Sequence, residues 1–197
     1  SEGLASGSIT WRAPLEDGDW VVRTTGRGWP GWTPLPQAGL VPAAMVAAED
    51  AAFWRHNGVH VPAVAEAITA SLADPSAPLR GGSTITQQLA KNLFCDPGDR
   101  TLARKLSELL YALELEAVLP KHRILELYIN IVELGPQVYG VGPAADAYFI
   151  KRPARMTPAE AAFLASILPA PRTFYQQALG GRPPRARMDF VLDNMAN

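Results

Sequence analysis

The sequence predicts a mainly α fold, because its clearest hydrophobic pattern has helical spacing and its clearest end signal is a helix cap. Thr157-Pro158-Ala159-Glu160 combines a capping threonine, a proline at the first helical position and a glutamate at the third. One set of leucines recurs at the interval of a single helical face, which we expect to be buried: Leu102, Leu106, Leu109, Leu110 and Leu113. No internal repeat accompanies this pattern.

The composition is that of one globular domain. The chain has 197 residues, of which 48% are hydrophobic and 19% are charged. Its 18 basic and 19 acidic residues nearly cancel, which argues against nucleic-acid binding through bulk electrostatics. Cys95 is the only cysteine, so neither an internal disulfide nor a cysteine-based zinc site can form.

The two ends of the chain differ in pattern. Residues 1–39 are rich in Gly, Pro, Trp and Thr and predict an extended arm, with a short strand at Trp20 to Thr24. Residues 40–197 predict the helical domain. No apolar run approaches the roughly 20 residues of a membrane-spanning helix. The chain opens at Ser1 without a methionine, as expected of a fragment that has lost a targeting or anchor segment.

Helices are expected at intervals from residue 42 onward. A break at 74–78 is the expected mobile segment between the second helix and the third, whose cap is Ser83 or Thr84. The expected spans are 42–53, 62–72, a capped helix ending at Leu93, 102–119, 121–132 and a last one beginning at Thr157.

The first candidate motif is Glu49-Asp50-x-x-Phe53-x-x-His56-x-Gly58. Glu49 is a candidate general base, because a glutamate is ionised at neutral pH, and Asp50 is better interpreted as an orienting residue. An acidic pair at a helix C-terminus opposes the helix dipole, which favours a functional reason over a simple surface helix end. We expect Phe53 to pack beneath Glu49 and His56 to be hydrogen-bonded in a structural loop.

Two further motifs present polar groups on helix faces. In Gly81 to Asn92, the side chains of Thr84, Gln88 and Lys91 share one face, with Asn92 beside them. Hydroxyl, amide and ammonium groups suit sugar hydroxyls and phosphate oxygens, although ordinary surface helices carry them too. In the helix after residue 102, Arg104 and Glu108 lie one turn apart, opposite the leucines. By themselves they predict an exposed ion pair worth a few tenths of a kcal/mol. We expect Glu114 and Glu116 only to solvate this helix.

These motifs together resemble the peptidoglycan glycosyltransferases, the lipid II polymerases that occur alone or as the first domain of bifunctional penicillin-binding proteins. The segment Glu126-x-Tyr128-x-Asn130-x-x-Glu133-x-Gly135 extends the resemblance, which is closest to the monofunctional branch and covers roughly residues 35–175. The chain departs from the family at Pro136-Gln137, where an Asn/Asp-Gly turn is usual, and at Gly142-Pro143, where Glu-Ala is typical. These departures concern a loop beside the substrate.

The resemblance implies a lysozyme-like helical lobe with a smaller membrane-facing lobe that includes about residues 59–80. It implies that Glu49 is the base and Glu108 the second catalytic carboxylate, not in direct contact with it, while Glu133 supports the site. It implies no protein metal site and no obligatory cofactor, with Mg²⁺ or Mn²⁺ at the substrate diphosphate as an option. It assigns substrate binding to residues of the first three motifs, with Arg104 as a phosphate ligand: Asp50, Phe53, His56, Ser83, Thr84, Gln88, Lys91, Asn92 and Arg104.

The implied reaction polymerises lipid II into β-1,4-linked glycan with inversion and release of undecaprenyl diphosphate. The implied partners are lipid II, the growing glycan strand, the membrane surface and other cell-wall synthesis proteins. The implied location is the outer face of the bacterial inner membrane. Two alternatives stay open: a lysozyme-like glycan-cleaving enzyme, which needs one protonated glutamate and no cationic diphosphate site, and a non-catalytic scaffold that binds lipid-linked glycan.

Overall fold

The computed structural model describes residues 31–62, 69, 82–96, 98, 101–179 and 181–196. The chain divides into two compact units, Ser1–Trp32 and Thr33–Asn197, and the second contains the helical domain. The strand predicted at Trp20 to Thr24 and the break at 74–78 that was predicted to be mobile lie outside the described residues. So does most of the segment predicted to face the membrane, 59–80.

The mainly α prediction is confirmed. The described ranges form a two-stranded antiparallel hairpin, short 3-10 turns at Leu35–Gln37, Phe53–Arg55 and Pro153–Arg155, and the following helices and strands. They are α1 (Val41–Glu49), α2 (Ile85–Phe94), α3 (Leu102–Val118), α4 (Lys121–Ile131), β1 (Glu133–Gly135), β2 (Val138–Tyr139), α5 (Val141–Phe149), α6 (Pro158–Ile167), α7 (Pro171–Leu179) and α8 (Arg185–Ala196).

The helix starts predicted from capping residues are confirmed. Thr84 caps α2 in a capping box, in which its side chain accepts from the Gln87 amide and the Gln87 side chain accepts from the Thr84 amide. Thr157 and Glu160 form the same arrangement at the start of α6. The first helix is shorter than predicted, because α1 ends at Glu49 and the chain resumes as a 3-10 turn at Phe53.

The prediction that the leucine face of α3 is buried is wrong for three of its residues. Leu106, Leu110 and Leu113 are 54%, 57% and 45% exposed, whereas Ala112 and Leu115 on the other side of the helix are buried. Helical spacing identifies an apolar face but not the face that packs against the protein. Here α3 packs on α2 with the face that carries a small alanine, which allows close approach.

The core is organised around α6, whose residues from Ala161 to Ile167 are all buried. Helices α1 and α8 both pack against α6 and against each other. This places the last residue of α1, Glu49, beside the first turns of α8. No helix among the described residues is both long and apolar enough to cross a membrane.

The fold accommodates both departures in the loop after α4. Gln137 adopts a left-handed φ of +61° in the turn between β1 and β2, and Pro136 precedes it with the fixed φ that suits the second position of a turn. Gly140 has φ +82°, and a Cβ there would lie 2.5 Å from the carbonyl oxygen of Asn130. Pro143 occupies the first turn of α5, where a proline costs no helical hydrogen bond.

Candidate functional site

The Glu49 carboxylate is held between two donors from distant parts of the chain. Its Oε2 accepts from Gln88 Nε2 of α2 at 2.9 Å, and its Oε1 accepts from Arg187 Nη2 of α8 at 2.9 Å. The Glu49 side chain is 14% exposed, so it is largely buried but still reached by solvent. A carboxylate accepts up to about four hydrogen bonds, so each oxygen keeps a free lone pair.

The electrostatic balance at Glu49 is between burial and nearby donors. Burial raises the pKa of the Glu49 carboxyl above its ordinary 4.5. The hydrogen bond from Gln88, the charge and hydrogen bond of Arg187 and the charge of Lys91 lower that pKa in turn, but do not cancel the effect of burial. A raised pKa makes the ionised carboxylate a stronger base than a surface glutamate.

Asp50 ties the end of α1 to the start of α2. Its Oδ2 accepts from the backbone amide of Ile85 at 3.0 Å, and both its oxygens lie 2.9 Å from His56 Nε2. Asp50 is buried and the His56 side chain is only 6% exposed. The structure thus gives Asp50 an orienting position and His56 a place in a hydrogen-bonded loop, with its Nδ1 buried and unpaired among the described residues.

Phe53 and Thr84 complete this internal support. Phe53 is fully buried, and Lys121 Nζ lies 4.3 Å from its ring centroid. Thr84 is buried, and its hydroxyl donates to the carbonyl of Gly58 at 2.6 Å. Gly58 has φ +84°, and a Cβ there would come within 3.0 Å of the Ala112 carbonyl on α3. These side chains hold the first motif against α2 and α3.

Glu108 forms a second, separate carboxylate centre on α3. Arg104 Nη1 contacts its Oε1, and Lys105 Nζ lies 2.7 Å from its Oε2. Lys105 Nζ also donates to Ser83 Oγ at 2.9 Å, which links this centre to the start of α2. The Glu108 side chain is 3% exposed, and the Arg104 Nε is buried without a partner in the described part of the molecule.

Helix α2 therefore touches both centres. Ser83, just before it, reaches the Glu108 centre, and Gln88 in its second turn reaches Glu49. Lys91 and Asn92 follow on the same helix and are exposed. The carboxylate of Glu49, the exposed ammonium of Lys91 and the buried Glu108 with its two cations therefore all lie around α2.

Two other glutamates take different positions from those predicted. The expectation that Glu116 only solvates α3 is wrong, because its Oε1 accepts from Thr86 Oγ1 and Lys121 Nζ, both at 2.6 Å. Its side chain is 7% exposed. Glu133, predicted to support the site, pairs with Arg172 of α7 at 2.7 Å.

Three residues of this site were not predicted: Lys105, Tyr128 and Arg187. Arg187 offered a physical signal, since it lies in the first turn of α8, where a cation opposes the helix dipole. Glu49 is an anion at the C-terminal end of α1, which is also unfavourable in the helix dipole. The ion pair between Glu49 and Arg187 compensates both unfavourable placements. Tyr128 is fully buried on α4 and donates its hydroxyl hydrogen bond to Gln88 Oε1 at 2.9 Å.

No group of three or more His, Cys, Asp or Glu side chains within the described ranges is arranged to hold a metal ion. The carboxylates that come nearest to such a role are already engaged. Glu108 is paired with two cations, and Asp50 with an imidazole and a backbone amide.

The comparisons with known proteins agree with the motifs. A family model described as Transglycosylase matches residues 23–196. A protein named biosynthetic peptidoglycan transglycosylase from Shewanella amazonensis is 46% identical over 84% of this chain and 64% of its own length. Proteins of the same name from Rhodopseudomonas palustris and Bdellovibrio bacteriovorus are 48% and 40% identical, over 68% and 73% of this chain and 59% and 56% of their own lengths.

This chain thus spans about three fifths of the length of these curated relatives. The family match nevertheless covers most of its residues, including the Glu49 and Glu108 centres and Arg187. The chain belongs to the transglycosylase family.

Proposed function

We propose that this chain is the catalytic domain of a peptidoglycan glycosyltransferase that polymerises lipid II into β-1,4-linked glycan strands. The observation that carries the proposal is the Glu49 carboxylate, which is partly open to solvent and is held by Gln88 and Arg187. A fixed, ionised and desolvated carboxylate suits the removal of a proton from a sugar hydroxyl. The family membership supports the same reaction.

The proposed step begins when the 4-hydroxyl of the acceptor GlcNAc gives its proton to Glu49. The hydroxyl oxygen forms a bond to the anomeric carbon of the donor MurNAc. The bond from that carbon to the diphosphate oxygen breaks, and its electron pair leaves with undecaprenyl diphosphate. Attack from the face opposite the leaving group inverts the anomeric centre and gives the β-1,4 link.

The leaving diphosphate needs positive charge close to it. Lys91 is exposed on α2, and its charge acts on Glu49, so it is placed to face a substrate bound there. Arg104 uses Nη1 for Glu108 but is 21% exposed, and a guanidinium has further donors that suit phosphate oxygens. We expect Ser83, Gln88 and Asn92 to contact the sugars.

A divalent cation is an optional part of this proposal. Any Mg²⁺ or Mn²⁺ would be held chiefly by the diphosphate oxygens, because both oxygens of Glu108 are paired with cations. Glu108 would then act by orienting Arg104 and Lys105 toward the diphosphate side. We therefore propose no obligatory cofactor.

The exposed leucine face of α3, Leu106, Leu110 and Leu113, supports contact with the membrane that carries the lipid-linked substrate. Three large apolar side chains on one helical face would be stabilised by insertion into a lipid surface. Co-sedimentation with phosphatidylglycerol vesicles tests this. Leu110→Ser should weaken binding, whereas Ile150→Ser, at an equally apolar and 89% exposed position just after α5, should not. Equal binding by all three proteins would contradict the membrane assignment.

One assay separates the polymerase from its alternatives. The purified chain is incubated with lipid II in detergent, and the products are separated on a gel, with a folded Glu49→Gln protein as the control. Long glycan strands from the parent alone support the polymerase. Shortened fragments from isolated cell wall would favour a glycan-cleaving enzyme, and no product from either substrate would favour a binding scaffold.

A further inference from the structure

A chain of hydrogen bonds leads from the protein core to the proposed base. Tyr128 on α4 donates from its hydroxyl to Gln88 Oε1 at 2.9 Å, and Gln88 Nε2 donates to Glu49 Oε2 at 2.9 Å. Tyr128 is fully buried, Gln88 is partly buried, and the Glu49 side chain is 14% exposed to solvent. Each donor in this series points toward Glu49.

The orientation of the Gln88 amide decides whether Glu49 is stabilised. The two ends of a glutamine amide have almost the same shape, but one donates and the other only accepts. An ionised carboxylate can only accept, so the NH₂ end stabilises Glu49. A rotation of about 180° would place the Gln88 carbonyl oxygen against the carboxylate instead, where two acceptors repel each other.

The buried Tyr128 hydroxyl needs a hydrogen-bond acceptor, and this need favours one of the two orientations of the Gln88 amide. Burial, and then the carboxylates of Glu49 and Asp50, hold the pKa of Tyr128 well above its ordinary value of 10.0, so the hydroxyl keeps its proton. A buried hydroxyl that finds no acceptor costs about 1–3 kcal/mol. Within the described residues its acceptor is Gln88 Oε1, which faces Tyr128 only when the NH₂ end faces Glu49.

We propose that Tyr128 is a positioning residue whose buried hydroxyl fixes the Gln88 amide with its NH₂ group toward Glu49. This inference rests on the proposed function, in which Glu49 is the base. The Tyr128 hydroxyl donates to Gln88 and not to Glu49, so we expect it to act on the reaction through Gln88. Its effect is to keep the base ionised and aligned in the free enzyme.

Other charged groups act on Glu49 independently of Tyr128. Arg187 contacts it from α8, and the charge of Lys91 acts on it from α2. These groups stay in place when the Tyr128 hydroxyl is removed. Loss of the hydroxyl therefore weakens only the hydrogen bond from Gln88 that stabilises the Glu49 carboxylate. The pKa of Glu49 should rise further, while Arg187 and Lys91 continue to lower it.

The first test is Tyr128→Phe, which removes the hydroxyl and keeps the ring. We expect kcat to fall by about two- to tenfold with little change in KM, because a Gln88 amide that can rotate no longer keeps the Glu49 carboxylate aligned. The acid limb of the pH–rate profile should move to higher pH. Tyr148→Phe is the matched control, because the Tyr148 hydroxyl donates to the Leu134 carbonyl at 2.7 Å. An unchanged acid limb in Tyr128→Phe, or an equal change in Tyr148→Phe, would overturn the proposal.

A double-mutant cycle tests whether Tyr128 acts through Gln88. In a Gln88→Met background there is no amide to orient, so adding Tyr128→Phe should change neither kcat nor the acid limb further. If the two substitutions have independent, additive effects, Tyr128 acts through another route and the positioning role is wrong.

A measurement without turnover separates this inference from the polymerase proposal. The ¹³C carboxyl resonance of Glu49, assigned by its loss in Glu49→Gln, is titrated in the free parent and in Tyr128→Phe. A higher titration midpoint in the variant supports the positioning role even if the parent makes no glycan, an outcome that would overturn only the polymerase. Identical midpoints overturn the positioning role even if the parent polymerises lipid II.

Discussion

Glu49 and Glu108 are both largely buried carboxylates beside α2, but their partners differ. Glu49 is held by one amide and one guanidinium and keeps 14% of its side chain exposed. Glu108 is 3% exposed and faces two cations, Arg104 and Lys105. Burial raises the pKa of Glu49 in spite of its donors. The difference matches the proposed roles, in which Glu49 exchanges a proton and Glu108 orients two cations.

The two centres also differ in how far nearby groups compensate the cost of burying a charged carboxylate. At Glu49 the unfavourable burial of a charge is only partly compensated, which leaves a reactive group at the cost of stability. At Glu108 the compensation is direct and two-fold, as expected for a carboxylate that orders its neighbours. A substitution that removes only the charge should therefore lower activity without a loss of stability at the first centre, and should lower stability at the second.

The largest effect is expected for Glu49→Gln. Loss of a general base should lower kcat with lipid II by about 10²- to 10⁴-fold. The melting temperature at pH 7 should not fall, because the folded state has the higher carboxyl pKa and binds the proton more tightly than the unfolded state. Its charged form therefore costs stability as pH rises through the interval above 4.5. Near-parental turnover in a folded Glu49→Gln protein would remove Glu49 as the base.

Glu108→Gln, unlike Glu49→Gln, should lower the stability of the protein. It leaves the charges of Arg104 and Lys105 without their partner, and we expect the free energy of unfolding to fall by about 1–3 kcal/mol, less than for a fully buried pair because both cations are partly exposed. Urea denaturation measures this loss. Glu133→Gln, which breaks the exposed pair with Arg172, is the control and should change stability by less than about 1 kcal/mol. If Glu108→Gln were no less stable than this control, the two centres would not differ in the way described.

Lys91→Ala and Arg104→Ala should each reduce turnover, by about tenfold or more, since a hydrogen bond to a charged group is worth about 1.5–3 kcal/mol. Arg104→Lys should restore little, because an ammonium cannot make paired contacts to phosphate oxygens. Steady-state kinetics with lipid II tests both. If Arg104→Lys keeps the turnover of the parent protein, the guanidinium only pairs with Glu108 and does not bind phosphate.

The smallest expected effect is a shift in pH dependence for Arg187→Gln. This substitution removes a charge that lowers the pKa of Glu49, so the acid limb of kcat/KM should move to higher pH. Arg182→Gln, at an exposed position just before α8, is the control and should leave the limb in place. A limb that does not move in Arg187→Gln would show that the contact with Glu49 does not act in the working enzyme.

Local patterns predicted the helices and the first carboxylate, but not the surroundings of that carboxylate. The caps at Thr84 and Thr157 depend on residues within one turn and were visible in the sequence. The contact between Glu49 and Arg187 joins residues 138 apart, and no local pattern encodes it. The leucines of α3 had the right spacing for a helix, yet only the packed structure shows that they face outward.

The hairpin and helices α5, α7 and α8 were missed for a different reason. Strands β1 and β2 have three and two residues, too short for an alternating pattern, and their turn uses Gln137 in a left-handed conformation that usually favours Asn or Gly. Helix α8 mixes charged and apolar residues with little periodicity. Its Arg187 could have been noticed only through its unfavourable place in the helix dipole.

The most direct test of Glu49 as the base compares two titrations of the free enzyme. The acid limb of kcat/KM for lipid II reports the pKa of the essential base, and the ¹³C carboxyl resonance of Glu49 reports its own. We predict that the two midpoints coincide, that both lie above the ordinary 4.5, and that the limb is lost in Glu49→Gln. Midpoints that differ would show that another group is the base, and a Glu49 midpoint at or below 4.5 would contradict the dominant effect of burial on this carboxyl.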